Sequence, residues 1–252
     1  MSDELELLKK RFSELYRKAY DGGYFTFTDF LGLAEQSALS ELTPKFHTGF
    51  IKLFGGADGA ERVMARFGDP DDIGYDVPFP ILCVAVEPLS QKFADKLTHR
   101  DFLGALLNLG IERSTLGDIV IRDNVGYVFA EEKIAEFITC ELSRVKRTDI
   151  KATIAQELPD GELFKTEQKR IQIQSERLDA VIAKSYNLSR EDAQTLVKRS
   201  LVFVNGKETT SSSYSPKVGD KISVRGHGRL VYLGFDSTSR KGKLNAIVSV
   251  YV

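Results

Sequence analysis

The chain has 252 residues, of which 28% are charged and 42% hydrophobic, the composition of an ordinary globular protein. Its formal net charge of −1 would argue against a nucleic-acid-binding protein if the charges were evenly spread. They are not, because residues 165–252 hold 16 of the 35 Lys and Arg residues but only 8 of the 36 Asp and Glu residues, a net charge of +8. Residues 1–164 therefore carry −9, and this asymmetry points to nucleic acid or a membrane surface as a partner.

Several classes of protein are excluded at this stage. The best apolar run, residues 81–86, is too short to span a membrane, and the acidic N-terminus is neither a signal nor a transit peptide. Cys83 and Cys140 form no CxxC pair and no His cluster accompanies them, so we expect no metal site, no cofactor and no disulfide framework. A reducing cytoplasm is the expected location. Apolar neighbours predict that both thiols are buried.

Residues 1–75 are predicted to form a small α/β domain. Apolar residues at helical spacing predict a first helix from Ser2 to a stop at residues 21–23, and a second helix from Thr28 to about Leu42. A strand is predicted at residues 49–54. A glycine-rich turn then leads into a third predicted helix at residues 60–67.

Residues 76–160 are predicted to form a second domain with the order β-α-β-β-α-β. The predicted elements lie, in chain order, at residues 81–86, 99–109, 118–122, 126–130, 131–142 and 145–158. This order is the ferredoxin-like plan that RNA-recognition domains also use. A turn at Pro159-Asp160-Gly161 is the predicted boundary.

Residues 161–252 are predicted to form a third domain. Two helices, at residues 176–185 and 189–200, precede a hairpin through Asn205-Gly206, the strongest short hairpin signal. Later strands are predicted at residues 221–225, 230–235 and 244–250. The predicted fold class of the whole chain is α+β.

Basic residues of the third domain lie at predicted helix ends and at the hairpin turn. They are Arg177, Arg190, Lys198, Arg199 and Lys207. On one surface they would neutralise phosphates and release counterions, which is the main source of nucleic-acid affinity. Backbone donors at the start of the helix at Ser189 could bind phosphate as well. Without a zinc finger or a basic zipper, readout of shape and phosphates in structured RNA is favoured. The alternative is a solvated face with scattered ion pairs.

The third domain resembles the S4-type RNA-binding domain, or alpha-L motif, over residues 175–229. The resemblance is carried by RLDAVIAKSYNLSREDAQTLVKRSLVFVNGK and VGDKISVRGHGR. That domain occurs in ribosomal protein S4, some pseudouridine synthases and tyrosyl-tRNA synthetases. By motif position, the resemblance implies that these residues face RNA: Arg177, Ser189, Arg190, Gln194, Lys198, Asn205, Gly206, Lys207, Arg225 and Arg229. Their neighbour Arg199 is added as a further candidate.

Two upstream stretches extend the resemblance over nearly the whole chain. Together with the S4-type domain, GGADGAERVMARF and LTHRDFLGALLNLGIERSTLGDI resemble the YlmH family of bacterial S4-domain proteins, which are encoded near cell-division genes. This resemblance implies a ribosome-associated RNA-binding protein that contacts ribosomal RNA on the large subunit, with tRNA as a further expected contact. It further implies a role in rescue or quality control of stalled translation, and no small-molecule substrate or membrane partner.

Other candidate sites each have a simpler interpretation. His99 beside Asp101 could be a general base, but Thr98 and Asp101 better fit a helix capping box. The glycine-rich turn at residues 55–60 lacks the spacing of a nucleotide-binding loop. Tyr127 and Phe129 could stack on bases or pack in the core.

Two basic residues of the acidic body are secondary candidates for RNA contacts. They are Arg100 and Arg113. Two competing functions remain open: an RNA-modifying enzyme that docks through its S4-type domain, and a cell-division-linked interaction protein in which the acidic body is the functional surface. No nucleophile motif or cofactor loop accompanies the domain, so the sequence favours a non-enzymatic protein.

Overall fold

The computed structural model describes residues 2–158, 163–239 and 242–251 and has mixed α and β structure, as predicted. The described helices are α1 (Ser2–Gly22), α2 (Leu33–Leu42), α3 (Pro70–Ile73), α4 (His99–Asn108), α5 (Glu132–Glu141), α6 (Leu178–Ser185) and α7 (Arg190–Lys198). The described strands are β1 (Thr26–Phe27), β2 (Ile51–Phe54), β3 (Met64–Phe67), β4 (Ile81–Pro88), β5 (Leu116–Arg122), β6 (Val125–Glu131), β7 (Arg144–Val145), β8 (Thr148–Ile154), β9 (Thr166–Ile173), β10 (Val202–Val204), β11 (Lys207–Glu208), β12 (Lys221–Val224), β13 (Gly228–Thr238) and β14 (Leu244–Tyr251).

The chain divides into two compact units. The first contains Met1–Glu35 and Glu41–Leu163, and the second contains Gln36–Ser40 and Phe164–Val252. The further division of the first unit into domains at residues 1–75 and 76–160 stays a prediction. The turn predicted at residues 159–161 lies outside the described residues.

The N-terminal part of the first unit contains a three-stranded antiparallel sheet in the order β1-β3-β2. Two sequence predictions are wrong here. Residues 64–67 form the fully buried central strand and not a helix, because they pair with strands on both sides. The second helix begins at Leu33 and not at Thr28, because Thr28 Oγ1 accepts a hydrogen bond from the Ala65 amide at 2.9 Å and holds this segment extended.

The ferredoxin-like order predicted for residues 76–160 is confirmed. The antiparallel sheet has the order β5-β6-β4-β8-β7. The helices α4 and α5 pack on one face of this sheet through a core that includes Phe102, Leu106, Val128 and Ile138. The last predicted strand is two shorter strands, β7 and β8, joined by a tight turn at Lys146-Arg147.

The other face of this sheet is covered by the loop that follows β2. Phe129 is only 1% exposed. A Cβ atom added to Gly56 would lie 2.3 Å from the Phe129 ring, so the loop backbone touches that ring directly. Gly56 also has a φ of +95°, which side-chain-bearing residues rarely adopt. Phe129 is therefore a core residue, and it is not available to stack on a base.

The Arg62 side chain fastens the N-terminal part of the first unit to the ferredoxin-like sheet. Its guanidinium donates to the carbonyls of Leu116 at 2.8 Å, Phe30 at 2.8 Å and Arg113 at 3.1 Å. Asp118 accepts hydrogen bonds from the backbone of Glu61 and Arg62 at 2.5 and 3.3 Å. These contacts join carbonyls of both parts of the first unit to one guanidinium.

The two cysteines differ in exposure. Cys83 is buried on β4, and burial raises the pKa of its thiol to about 12. Cys140 is exposed on α5, so the prediction that both thiols are buried is wrong for this residue. Its neighbour Ile138 is the residue that this part of the helix directs into the core. Both thiols are free.

The second unit is built on a six-stranded antiparallel sheet in the order β11-β10-β12-β13-β14-β9. The helices α6 and α7 pack on it through a core that includes Leu178, Ile182, Val197 and Leu230. Residues 166–173, for which no element was predicted, form β9 and pair with β14 along eight residues. The Asn205-Gly206 turn is confirmed, with φ values of +51° and +77° that fit a type I′ hairpin.

Candidate RNA-binding surface

Three of the predicted RNA-facing side chains converge on one buried carboxylate. Asp179, in the first turn of α6, accepts from Arg177 Nε and Nη2 at 3.1 Å each. It also accepts from Arg190 Nε at 3.2 Å and from Gln194 Nε2 at 2.8 Å. A single acceptor therefore fixes the residue before α6 and two residues of α7 relative to each other.

The Asp179 carboxylate stays ionised in this environment. It is fully buried, and burial alone would raise the pKa of the carboxyl group. The hydrogen bonds from Arg177, Gln194 and Arg190 outweigh this effect and lower the pKa to about 2. Arg177 and Arg190 keep 36% and 46% of their side chains exposed, so Asp179 holds them at the surface without covering them.

The exposed face of α7 carries a row of RNA-binding candidates. Arg190, Gln194 and Lys198 are four residues apart and so lie on one side of the helix. Ser189 caps this helix as predicted, because its Oγ accepts from the Asp192 amide at 3.0 Å. Its hydroxyl also donates to Asp192 Oδ2 at 2.6 Å, so the Ser189 side chain is occupied by capping.

The start of α6 is closed by the serine-rich loop at residues 209–215. The Leu178 amide donates to the Tyr214 carbonyl at 2.8 Å, and the Asp179 amide donates to the Ser212 carbonyl at 3.2 Å. Two amides that a helix start would otherwise offer to an anion are thus satisfied by the protein. At this helix, RNA contacts must come from side chains such as Arg177.

A second buried carboxylate, Asp220, organises the hairpin turn. It is 7% exposed and accepts from Asn205 Nδ2, the Tyr214 hydroxyl and the Lys217 amide, each at 2.8 Å. The side-chain Oδ1 of Asn205 in turn accepts from the Lys221 amide at 2.9 Å. Asn205 therefore shapes the turn, and Lys207, which follows Gly206, remains exposed to solvent.

The end of α7 is tied to the neighbouring strands, which brings further cations to this region. Ser200 Oγ donates to Glu208 on β11 at 2.5 Å, next to Lys207. The Arg225 amide donates to the Leu201 carbonyl at 2.9 Å. Lys198, Arg199, Lys207 and Arg225 are all exposed. The Arg225 guanidinium lies 5.3 Å from the centre of the Phe203 ring.

The last residue of the predicted set, Arg229, does not face solvent. Arg229 is only 8% exposed. Its guanidinium carbon lies 3.7 Å from the centre of the Tyr251 ring and 5.5 Å from the centre of the Phe164 ring. Burial against aromatic rings is a structural use of the guanidinium. The expectation that Arg229 faces RNA therefore does not fit its position.

The two secondary candidates occupy different environments. Arg100 is exposed at the start of α4. Arg113 is half-buried and donates to the carbonyls of Leu116 and Gly117 at 2.7 and 3.0 Å. Burial and the nearby Arg62 lower the pKa of Arg113 to about 10. The Arg113 side chain is thus engaged within the protein and does not project as expected.

The catalytic alternative at Thr98-His99-Asp101 is a capping box, as favoured from the sequence. The Asp101 carboxylate accepts from the backbone amide and the hydroxyl of Thr98 at 2.9 and 2.7 Å. Within residues 2–158, 163–239 and 242–251, no group of three or more His, Cys, Asp or Glu side chains could hold a metal ion. In the same described residues, no helix is both long and apolar enough to cross a membrane.

Sequence reasoning missed the two carboxylates that organise the surface. In the sequence, Asp179 looks only like part of a helix start, and Asp220 looks only like part of a turn. A signal was available for Asp179, since an acidic residue inside a basic motif is expected to be paired when it is buried. Its burial, however, depends on the packing of α6 against α7.

Comparison with known proteins agrees with this geometry. Residues 79–157 match a family model named for an RNA-binding domain in YlmH, and residues 176–222 match the S4 domain. The ribosome-associated protein quality control protein P2 of Bacillus subtilis (strain 168) is 31% identical over 228 residues, which cover 86% of this chain and 83% of that protein. The solved structure of the cell division protein ylmH from Streptococcus pneumoniae is 21% identical, with a TM-score of 0.46 over 60% of this chain and 91% of that chain. The chain therefore belongs to the YlmH family of S4-domain RNA-binding proteins.

Proposed function

We propose that the protein associates with the ribosome by binding structured ribosomal RNA through its second unit. The observation that carries this proposal is the convergence of Arg177, Arg190 and Gln194 on the buried Asp179 carboxylate. A guanidinium has five N–H donors. Asp179 engages two nitrogens of Arg177 and one of Arg190, so each side chain keeps donors for a phosphate while its position is already fixed.

Fixed cations suit a ligand whose phosphates have a regular spacing. A-form RNA presents such a backbone, and proteins recognise it mainly by shape and by phosphate and 2′-hydroxyl contacts. The row of Arg190, Gln194 and Lys198 along α7 matches this kind of recognition. The net charge of +8 on residues 165–252 adds the counterion-release term that dominates affinity. The name of the Bacillus subtilis relative supports the ribosome as the source of this RNA.

The double variant Arg190→Glu/Lys198→Glu tests this proposal. Arg190 and Lys198 lie at the surface, and Asp179 keeps its hydrogen bonds from Arg177 and Gln194, so we expect a folded but less stable second unit that no longer cosediments with ribosomes. The matched control is Lys18→Glu/Lys133→Glu, which makes the same change in net charge at exposed positions of α1 and α5. Unchanged cosedimentation of the first variant, with circular dichroism like that of the wild type, would refute the site assignment.

We propose further that the bound RNA belongs to the large subunit, with tRNA as a second contact, and that the protein acts in rescue or quality control of stalled translation. The support is the printed name of the relative, a ribosome-associated quality control protein, together with the basic surface of the second unit. In-cell crosslinking followed by sequencing of the RNA fragments tests the assignment. Fragments confined to the small subunit would refute it.

We propose that this activity is non-enzymatic. The matching families are RNA-binding ones, and the surface consists of cations and their positioning carboxylates. Incubation with unmodified ribosomal RNA, with and without S-adenosylmethionine, should yield no modified nucleoside. Detection of one by mass spectrometry would favour the RNA-modifying alternative.

A further inference from the structure

The acidic first unit carries a basic region that the C-terminal surface does not include. Residues 88–100 and 144–151 together contain seven Lys and Arg residues and two Asp residues, a net charge of +5. The rest of residues 1–164 then carries −14. Cations concentrated against such a background mark a surface that meets an anionic partner.

These two segments are neighbours in space. The Leu89 amide donates to the Asp149 carbonyl at 3.0 Å, and the Asp95 amide donates to Thr148 Oγ1 at 2.9 Å. The first segment therefore lies along the β7–β8 hairpin. Arg100, Arg144 and Lys146 line one shallow groove of about 470 Å³ between α4 and this hairpin, and the carboxylates Asp101 and Glu141 line it as well.

An aromatic side chain stands exposed in the same region. Phe93, at the end of the short 3-10 helix Gln91–Phe93, is 82% exposed. The Lys92 ammonium lies 5.5 Å from the centre of its ring. Leu89 is also 67% exposed. An aromatic ring beside cations is the combination that proteins use to stack an unpaired base while binding the adjoining phosphates.

The hairpin turn holds one of the cations in an uncommon backbone conformation. Lys146 has a φ of +58°, although glycine is the residue that such a two-residue turn prefers. A non-glycine residue with positive φ is uncommon and costs conformational energy. The side chains of Lys96, Arg100, Lys146 and Arg147 are exposed around this turn and the start of α4.

We propose that this basic region is a second RNA-binding surface, in which Phe93 stacks on an unpaired base and Lys96, Arg100, Lys146 and Arg147 bind the flanking phosphates. The surface replaces the sheet face that RNA-recognition domains use, because here the loop after β2 covers Phe129 on that face. The inference rests on the proposed function in one respect, since RNA is the ligand of both surfaces.

Photocrosslinking of the full chain to an oligouridylate 12-mer and, in a parallel reaction, to a double-stranded RNA hairpin, each containing 4-thiouridine, tests the inference directly. The chain is used as wild type and as Arg190→Glu/Lys198→Glu, and the crosslinked peptides are identified by mass spectrometry. We expect a crosslink at Phe93 in both proteins, and crosslinks in residues 177–207 in the wild type alone. Crosslinks in residues 177–207 without any in 88–100 would overturn this inference and leave the proposed function standing. Crosslinks at Phe93 alone in the wild type would refute the proposed function instead.

Affinity for the same 12-mer, measured by fluorescence anisotropy in the Arg190→Glu/Lys198→Glu background, gives a second readout. Phe93→Ala should bind about tenfold more weakly, the effect of losing one stacked base. Phe137→Ala is the matched control, since Phe137 is 41% exposed on α5, outside the basic region.

Lys96→Ala/Arg147→Ala should lower the slope of log K against log salt by about 1.4, for two lost contacts to a single strand. Unchanged affinity in these variants would overturn the RNA assignment. If Phe93→Ala in the otherwise wild-type chain then weakened cosedimentation with ribosomes, the region would be a protein-binding surface.

Discussion

The Asp179 carboxylate and the Arg190 guanidinium lie 3.2 Å apart and join the first turn of α6 to the first residue of α7. This ion pair has one fully buried partner and one partner that is 46% exposed. Replacing Asp179 leaves the arginine at the surface. Replacing Arg190 leaves the buried Asp179 charge less well compensated. Asp179 is therefore the residue through which the geometry of the surface can be altered without removing its cations.

Asp179→Asn should lower the free energy of unfolding of the second unit by about 2 kcal/mol at pH 7, the value of a pKa lowered from 3.8 to about 2. Because the folded pKa is below the ordinary value, the stabilisation is fully present above about pH 4 and is lost as the pH falls through 2. Urea unfolding of wild type and variant between pH 2 and pH 7 measures this. The exposed Glu191→Gln is the control and should change stability by less than about 0.5 kcal/mol. A difference between wild type and Asp179→Asn that does not shrink toward pH 2 would contradict the assigned charge state.

Gly206→Ala should destabilise the second unit by about 1 kcal/mol, because an alanine at a φ of +77° is strained. Gly104→Ala offers the opposite case in the first unit. Gly104 lies within α4, and a Cβ atom there would meet nothing within 4 Å, so the alanine should stabilise by about 0.5–1 kcal/mol. Chemical denaturation of both variants measures the two signs. If both variants changed the free energy of unfolding in the same direction and by the same amount, the turn would not require positive φ at residue 206.

Arg62→Ala should destabilise the first unit by roughly 2 kcal/mol, because the Phe30 carbonyl loses this charged donor, whereas the Leu116 and Arg113 carbonyls each keep a second donor. Arg17→Ala, at an exposed position of α1, removes the same side chain from a surface site and should have little effect. Thermal unfolding followed by circular dichroism separates the two. Similar melting temperatures for both variants would mean that the Arg62 contacts add nothing to stability.

A thiol titration with Ellman's reagent should detect Cys140 rapidly in the native protein at pH 8 and Cys83 only after unfolding. Cys140 is exposed, whereas burial raises the pKa of Cys83 to about 12 and so removes its thiolate. Cys140→Ser identifies the reactive residue, since this variant should show no rapid phase. Two rapid thiols in the native wild type would contradict the buried position of Cys83.

The parts of the fold that the sequence predicted are those that local residues determine. Asn205-Gly206 specifies its turn because both residues tolerate positive φ. Residues 60–67 were predicted to be a helix, but pairing of β3 with β1 and β2 decides their conformation, and such pairing leaves no local pattern. The strand β9 was missed because most of its residues are charged or polar and exposed at a sheet edge.

The same distinction holds for the candidate site. Motif positions identified Arg177, Arg190 and Gln194, which the structure brings together. They could not separate Arg177 and Arg190 from Arg229, since all three are arginines within the motif and only tertiary packing buries Arg229 beneath Tyr251. Phe93 was missed for a related reason, because exposure of an aromatic residue follows from the fold and not from its neighbours in sequence.

The segregation of charge within the first unit affects how fast a complex forms as well as how stable it is. An RNA approaching residues 101–143 meets mainly carboxylates and is repelled, whereas one approaching the region around Phe93 is attracted. Repulsion over most of a surface shortens the search for the attractive part, because unproductive encounters separate before they can persist. During diffusional association, the many carboxylates of the acidic body thus disfavour unproductive orientations of the RNA. High ionic strength would remove this effect.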